Sequence, residues 1–204
     1  MDAALRAGLA VYNDGHRHAA HDAWEERWLD LPDGSDDERF LHGLIQFTAA
    51  VSHAERRNWE GATGLAASAA DYLDGLGATH RGVDLSRVRT YLRRLRTDPE
   101  TVERTPPPPL VRDGRTPTLA DLDAEAAARA AVALAESDDR YDASVIEDAA
   151  GYAREELADR GGGRFVALVM DFAREGGDGV VHARLRDHVG RRRQRDRDVD
   201  ALFD

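Results

Sequence analysis

The sequence contains no cysteine and no lysine, and only 6% of its residues are aromatic. Without cysteine, disulfide scaffolds, thiolate metal sites, iron–sulfur clusters and cysteine nucleophiles are all excluded. No run of about 18 apolar residues occurs, and the first residues lack the basic flank and the apolar block of a signal peptide. We therefore expect a soluble, cytoplasmic protein with no membrane partner. Its chemistry must come from His, Asp, Glu, Arg and hydroxyl side chains.

Acidic residues dominate the charge of the chain. All 28 basic residues are arginine, aspartate outnumbers glutamate by 26 to 13, and the formal net charge is -11. Short hydrated carboxylates keep a protein soluble at molar salt, where self-repulsion is screened, so the composition predicts a halophilic protein. A GC-rich genome, whose codons favour Ala, Arg, Gly and Asp, is the alternative explanation. The negative charge also argues against nucleic-acid binding, which needs a basic surface.

Two stretches are locally basic, residues 80–96 and 191–197, and both are rich in arginine. Arginine is the only strong cation of the chain. We therefore expect these stretches to pair with the Asp-rich surface of the same subunit or of a neighbouring one. The sequence is in this respect compatible with a homo-oligomer.

Helical periodicity recurs along the whole chain, whereas strand signals are scarce, so the sequence predicts an all-α fold. The first part is expected to be a compact bundle of about five helices. These helices are predicted over residues 2–12, 16–29 and 38–56, then after Asn58 and after Asp84, two residues suited to cap a helix N-terminus.

Proline divides the chain. Six prolines fall within residues 97–117, including a run of four, and such a segment favours an extended spacer. The predicted domains are therefore an N-terminal helical bundle of residues 1–96, a Pro-rich linker of residues 97–117 and a helical C-terminal domain of residues 118–204. Thr118 and Asp121 have the spacing of a capping box that would begin the first helix of the C-terminal domain.

Polar residues recur at helical spacing on the second and third predicted helices. The stripes are His21, Glu25 and Trp28 on the second helix, and His42, Gln46 and His53 on the third. Because the loop between them is short, we expect the two helices to pack antiparallel, with Glu25 opposite His42. His21 would then face Gln46, and His53 would lie near Asp14 or, one turn along, near His18. A shift of one turn would bring His53 to His21 instead.

Two interpretations of these stripes remain open. His21 and Glu25 can act as a catalytic acid–base pair, or they can bind a divalent metal together with His53. Facing helices that supply His and Glu side chains are a common construction of metal sites in helical bundles. The alternative is structural: His21 and Glu25 form a buried hydrogen-bonded pair which, with Trp28 and Gln46, fixes the packing of the helix hairpin.

The same residues belong to a longer pattern. In order along the chain it comprises Asn13 and Gly15, His21-Asp22-x-x-Glu25-x-x-Trp28, Phe40-Leu41-x-Gly43-Leu44-Ile45-Gln46-x-x-Ala49-Ala50-x-x-His53, and Asn58-x-x-Gly61-Ala62. Over roughly residues 5–75 this pattern resembles the domain of unknown function family 309, in which Glu usually stands where this chain has Asp22. The resemblance implies a small all-helical bundle and no established reaction. It also implies that the matched polar residues cluster between helices, namely His21, Asp22, Glu25, Gln46, His53 and Asn58.

Two functions from different classes follow. The first is a metal-binding or hydrolase-like protein that uses His21, Glu25 and His53, with a divalent metal as the candidate cofactor. Its pocket would be completed by Asp22, Trp28, His42, Gln46 and Asn58. The second is a non-catalytic helical interaction module, in which the polar stripe is structural. Its partner surface would be the Arg-rich fifth helix or the C-terminal domain.

The charge composition generates the first testable prediction. Because 39 carboxylates face only 28 arginines, repulsion remains at neutral pH until salt screens it. We expect the thermal unfolding midpoint to rise as NaCl is raised from about 0.1 M, where the Debye length is about 10 Å, to molar concentration. Differential scanning calorimetry checks this, and a flat or falling midpoint would contradict the halophilic interpretation.

Overall fold

The structure is a computed structural model and describes residues 1–200. These residues contain ten α-helices, one 3-10 helix and a hairpin of two short strands, which confirms the predicted all-α fold. The helices are α1 (Asp2–Asn13), α2 (Arg17–Leu29), α3 (Asp36–Glu55), α4 (Trp59–Leu73), α5 (Leu85–Thr97), α6 (Thr101–Arg104), α7 (Ala124–Glu136), α8 (Ala143–Arg160), α9 (Arg164–Arg174) and α10 (Gly179–Asp200). The strands are β1 (Thr79–His80) and β2 (Val83–Asp84), and the 3-10 helix is Leu119–Asp121. No helix within residues 1–200 is long and apolar enough to cross a membrane.

The chain forms two compact units, and the division falls between Asp121 and Leu122. The first unit comprises α1 to α6, the β hairpin and the 3-10 helix, and the second unit begins just before α7. The expected boundary was the proline-rich segment of residues 97–117. In the structure this whole segment belongs to the first unit.

Asn13 holds the proline-rich segment on the first unit. Its Nδ2 donates to the backbone oxygens of Leu110 and Pro117, each at 3.0 Å, and its Oδ1 accepts from the Leu110 N–H at 2.8 Å. The hydroxyl of Tyr12 donates to the backbone oxygen of Pro108 at 3.1 Å, and Leu110 is fully buried. Proline supplies a carbonyl but no N–H, so an amide side chain is well suited to satisfy such backbone. The segment of residues 97–117 thus has the composition of a linker but is packed on the first unit.

Trp24 fixes the rotation of α2 against α1. Its side chain is fully buried, and the indole lies against Gly8, where a Cβ would overlap the ring. The indole Nε1 donates to the backbone oxygen of Leu5 at 3.4 Å. Successive helix residues are about 100° apart, so burial of this face turns a second face of α2 towards α3. That second face carries His18, His21 and Asp22.

Side-chain caps begin α3, α4 and α5. The acceptor and donor pairs are Ser35 with the Glu38 N–H at 3.2 Å, Asn58 with the Gly61 N–H at 3.1 Å, and Asp84 with the Ser86 N–H at 2.9 Å. The predicted caps Asn58 and Asp84 are therefore confirmed. Helix α3 begins at Asp36, slightly before the expected start at residue 38, because Ser35 caps it.

Thr118 was expected to begin the first helix of the C-terminal domain with a capping box. This expectation was wrong, because Thr118 precedes a 3-10 helix instead. The N–H and hydroxyl of Thr118 both donate to Asp121, at 2.8 and 2.7 Å, but the turn between them is the 3-10 helix. Helix α7 begins at Ala124, where Asp123 accepts from the Ala126 N–H at 3.0 Å. Asp123 directly precedes the alanine-rich run, so it is better placed than Thr118 to cap α7.

The β hairpin is bonded to the start of α3. The Arg81 guanidinium donates through both Nε and Nη2 to the carboxylate of Asp37, and Nε2 of His80 lies 2.9 Å from the same carboxylate. The hydrogen bond from Arg81 lowers the pKa of Asp37 to about 2. Asp37 belongs to the first turn of α3, where the helix dipole also favours a negative charge. Strands of two residues offer too little alternation for sequence patterning to detect.

The second unit packs the alanine-rich α7 against α8 and α9, and α10 against α8 and α9. The Arg-rich stretch of residues 191–197 lies on α10. Within this unit, Arg192 pairs with Glu155 at 3.3 Å and Arg193 pairs with Asp148 at 2.5 Å. Pairing with acidic residues of the same subunit thus accounts for these two arginines.

The contact between Gly8 and Trp24 generates a prediction about stability. The change Gly8→Ala forces the indole out of its position, and we expect the free energy of unfolding to fall by about 1–3 kcal/mol. Gly64→Ala on α4 is the matched control, because a Cβ at Gly64 would meet no atom within 4 Å. Alanine favours a helix over glycine, so the control should gain about 0.5–1 kcal/mol. Urea unfolding of both variants measures the difference, and effects of the same sign would refute the packing described.

Candidate functional site

Two histidines and an aspartate meet on one face of α2. His18, His21 and Asp22 are spaced i, i+3 and i+4, so their side chains project from adjacent turns. His21 Nδ1 lies 2.8 Å from Asp22 Oδ1, and His18 Nδ1 lies 3.3 Å from Asp22 Oδ2. Each carboxylate oxygen therefore faces one imidazole. One potential ligand atom from each residue lies within 4.8 Å of the other two.

The hydrogen bond to Asp22 raises the pKa of His21 above its ordinary value. Burial of the ring opposes this increase, and the negative charges of Asp22 and Glu25 add to it. An ionised carboxylate can only accept a hydrogen bond, so Nδ1 of His21 carries the hydrogen. Because the folded state favours the imidazolium, this contact stabilises the fold fully below the ordinary pKa of 6.5. The contribution is lost as the pH rises through the raised pKa.

A cavity of about 160 Å³ opens beside this cluster, between α2 and the C-terminal part of α3. Its lining residues are Arg17, His18, His21, Thr48, Ala49, Ser52, His53 and Arg56. Among residues 1–200, no carboxylate lines this cavity. His21 and His53 thus face the same space, although His53 is not part of the cluster that His18 forms with Asp22.

A tight turn between α3 and α4 places Asn58 beside His53. The Asn58 N–H donates to the backbone oxygen of His53, and the Arg57 N–H donates to that of Ala54, both at 2.9 Å. These are the two hydrogen bonds of a Schellman motif. Arg57 has a φ of 59°, the left-handed conformation that this motif needs after the last helical residues. The backbone thereby returns Asn58 to the end of α3, where it also caps α4.

The two ends of the Asn58 amide have different partners. Oδ1 accepts from the Gly61 N–H at 3.1 Å, which leaves Nδ2 facing Nδ1 of His53 at 2.8 Å. An amide nitrogen can only donate, so Nδ1 of His53 accepts, and the hydrogen of the neutral ring is on Nε2. Gly61 permits this approach, because a Cβ there would overlap the imidazole.

His42 belongs to a separate polar cluster of α2, α3 and α4. Trp28 Nε1 donates to Glu38 Oε1 at 2.7 Å, and His42 Nδ1 lies 3.3 Å from the same oxygen. The His42 ring stacks on Tyr72 with centroids 3.7 Å apart, and its centroid lies 4.4 Å from that of Trp28. Gln46 Nε2 approaches the other nitrogen of His42 at 3.4 Å. Both nitrogens of this ring therefore have partners, as expected of a structural network.

The candidate residues of the sequence thus separate into two groups. His21, Asp22, His53 and Asn58 lie in or beside the cavity, whereas Trp28, His42 and Gln46 lie in the second cluster. Glu25 belongs to neither group. It is exposed, and it forms no hydrogen bond or ion pair with any residue that the structure describes. Its charge acts on His21 only as the smallest of the causes that shift that pKa.

The helix register differs from the expected one. Trp28 rather than Glu25 contacts His42, and His21 faces the cavity rather than Gln46. The physical reason is the indole of Trp28, which extends far enough from α2 to bond a carboxylate in the first turn of α3. Spacing within each helix does not contain this information, because it depends on the contacts between them.

Sequence reasoning missed His18 as a neighbour of Asp22, and it missed Arg17 and Arg56 as cavity-lining residues. A signal for the first was present, since His18 and Asp22 are one turn apart on the same helix. The stripe of His21 with Glu25 has the same spacing, and the sequence alone offers no ground to prefer one. Arg56 is the C-cap of α3, and the direction of its side chain depends on the turn that follows.

Comparison with known families confirms the resemblance seen in the sequence. Residues 5–65 match the family model of a domain of unknown function (DUF309). All residues that line the cavity fall within this range, as do Asn58 and Gly61. No curated protein matches the chain.

The second cluster generates a prediction about stability. Glu38→Gln retains the shape of the side chain but removes the charge that Trp28 and His42 face, so we expect a loss of about 1.5–3 kcal/mol in the free energy of unfolding. Glu25→Gln is the control: it is the same change on the same helix pair, at an exposed residue, and should stay within about 0.5 kcal/mol. Urea unfolding in high salt measures both. Equal effects would show that Glu38 has no special structural role.

Proposed function

We propose that the first unit binds a divalent transition-metal ion through His18, His21 and Asp22. The observation that carries this proposal is the convergence of three ligand atoms within 4.8 Å on one face of α2. Two imidazoles with one carboxylate suit Zn²⁺ and similar first-row ions, whereas Ca²⁺ and Mg²⁺ prefer sites made of oxygen ligands only. Compared with the site expected from the sequence, His18 and Asp22 replace Glu25 and His53 as ligands.

The distances around Asp22 support this proposal. A tetrahedral zinc ion with bonds of about 2.0–2.1 Å separates its ligand atoms by about 3.3 Å. The contacts of 3.3 Å from His18 and 2.8 Å from His21 to the carboxylate are close to that separation. The ion would take the place of the hydrogen on Nδ1 of His21, so binding would release a proton.

Hydrolase-like chemistry would be an extension of this site. Three protein ligands leave one position of a tetrahedral ion open to an outside ligand, as in catalytic zinc sites. The cavity beside the cluster provides room for such a ligand, and His53 lines its other wall. Trp28, His42 and Gln46 would then support the helix pair without taking part in the chemistry.

A non-catalytic interaction module is the second candidate function. The hydrogen bond between His21 and Asp22 favours it, because it satisfies the carboxylate without any ligand. The second cluster, formed by Trp28, Glu38 and His42, likewise stabilises the helix pair by internal hydrogen bonds. On this account Asp22 only orients two histidines, and no metal binds.

Isothermal titration with zinc separates the two candidates. We expect the full chain, prepared without a His tag and freed of metal by a chelator, to bind one Zn²⁺ at pH 8. Asp22→Asn should weaken binding at least about tenfold, since loss of even an outer-shell partner costs about 10–100-fold. Glu25→Gln should leave the affinity unchanged.

The pH dependence provides a second readout of the same experiment. A proton and the metal compete for His21, so the affinity should fall as the pH is lowered through the raised pKa of this residue. Absence of zinc binding by the parent protein would exclude the metal site and favour the interaction module. An equal loss in Glu25→Gln and Asp22→Asn would refute the proposed ligand set, because Glu25 would then contribute as much to zinc binding as Asp22.

A further inference from the structure

We propose that the cavity between α2 and α3 binds a small tetrahedral oxyanion of the size of phosphate. Its donors would be the guanidinium of Arg56, the hydroxyl of Ser52 and the Nε2–H of His53. None of these three is a ligand in the metal site proposed above. The inference therefore goes beyond metal binding and stands or falls separately from it.

The charge of the cavity is opposite to that of the protein. The chain carries 39 acidic residues against 28 arginines. Among the described residues, however, the cavity is lined by two arginines, three histidines, two hydroxyl side chains and one alanine, without a carboxylate. In a protein with such an acidic surface, a concave site that contains two arginines and no lining carboxylate can attract an anion.

The dipoles of the two helix ends at the cavity do not decide whether it prefers an anion or a cation. The N-terminus of α2 has no acidic residue in its first turn and no side-chain cap, so its dipole would favour an anion. The C-terminus of α3 lies at the same cavity, and its dipole acts in the opposite direction. The two contributions oppose each other, and the side chains determine the sign of the potential.

Two lining side chains have hydrogens to donate and no partner among the described residues. Arg56 forms no ion pair or hydrogen bond through its side chain with any residue of the described range 1–200, and the same holds for the hydroxyl of Ser52. Arg17 differs, because it pairs with Glu55 at 3.3 Å and is partly neutralised. Unpaired guanidinium groups bind tetrahedral oxyanions through charge-assisted and often bidentate hydrogen bonds.

The turn that follows α3 makes Nε2 of His53 a hydrogen-bond donor. Asn58 occupies its Nδ1 with an amide hydrogen, so Nε2 must carry the hydrogen of the neutral ring. Within residues 1–200 no group accepts that hydrogen. Asn58, the cap of α4, thereby determines which ring nitrogen of His53 carries the hydrogen. Gly61 leaves the space for this contact.

The size of the cavity limits the ligand. Pockets that hold drug-sized molecules measure about 300–1,000 Å³. A cavity of about 160 Å³ is smaller, so it suits a free ion or the terminal group of a larger molecule rather than a whole nucleotide. Ser52, His53 and Arg56 offer three separate donors at the C-terminal end of α3, and a tetrahedral oxyanion has more acceptor oxygens to satisfy them than a carboxylate has.

The test is an NMR titration of the metal-free, isotope-labelled full chain with inorganic phosphate at constant ionic strength. We expect saturable shifts of the signals of Ser52 and His53, and weaker or no saturation with acetate. Long-range proton–nitrogen spectra of the histidine rings should place the hydrogen of neutral His53 on Nε2. A hydrogen on Nδ1, or shifts that never saturate, would overturn the proposal.

Two variants distinguish a specific site from general electrostatics. Arg56→Gln should weaken phosphate binding by about tenfold, as expected for loss of one charge-assisted contact. Arg96→Gln removes the same charge from an exposed residue of α5 that does not line the cavity, and should leave the affinity within about twofold. Equal effects of the two variants would show a general charge effect and refute the site.

A third variant tests the role of the cap. Asn58→Asp keeps an excellent helix cap but replaces the amide donor by a carboxylate oxygen, so Nδ1 of His53 must then carry a hydrogen. Phosphate should bind more weakly to this variant, because the added negative charge lies beside the cavity and Nε2 of a neutral His53 no longer donates. Unchanged or tighter binding would contradict the assigned donor. Zinc binding by the same variant should be unaffected, which separates this result from a failure of the metal site.

Discussion

The packing of Trp24 against Gly8 is the contact on which the arrangement of the first unit depends. It buries one face of α2 against α1, and it thereby determines which face of α2 is left for α3. The remaining face carries His18, His21 and Asp22, whose spacing would place them together on any helix. The rotation imposed by the indole brings His18 and His21 to the cavity that α3 completes.

The turn between α3 and α4 links backbone geometry to side-chain chemistry. Arg57 adopts a left-handed conformation, and the chain then reverses so that Asn58 both caps α4 and contacts His53. A single amide thus satisfies a helix end and fixes a histidine tautomer. The absence of a side chain at Gly61 is a condition for both contacts. These residues lie in the segment that matches the DUF309 family model.

The sequence predicted what depends on local spacing and not what depends on contacts between elements. Helices with clear periodicity and the caps Asn58 and Asp84 were recognised, because a cap needs only its own residue and the next turn. The register of α2 on α3 was missed, because it depends on how far the indole of Trp28 reaches. The docking of the proline-rich segment was missed for a similar reason: the Asn13 amide that holds it is about a hundred residues away in sequence.

Zinc bound by His18, His21 and Asp22 is the central claim, and anomalous diffraction from crystals grown with zinc tests it most directly. The account predicts one strong peak within about 2.0–2.1 Å of an imidazole nitrogen of His18 and of His21. It also predicts an oxygen of Asp22 in the coordination shell. A peak bonded to Glu25 or to the surface carboxylates, with the hydrogen bond of His21 to Asp22 intact, would contradict the account.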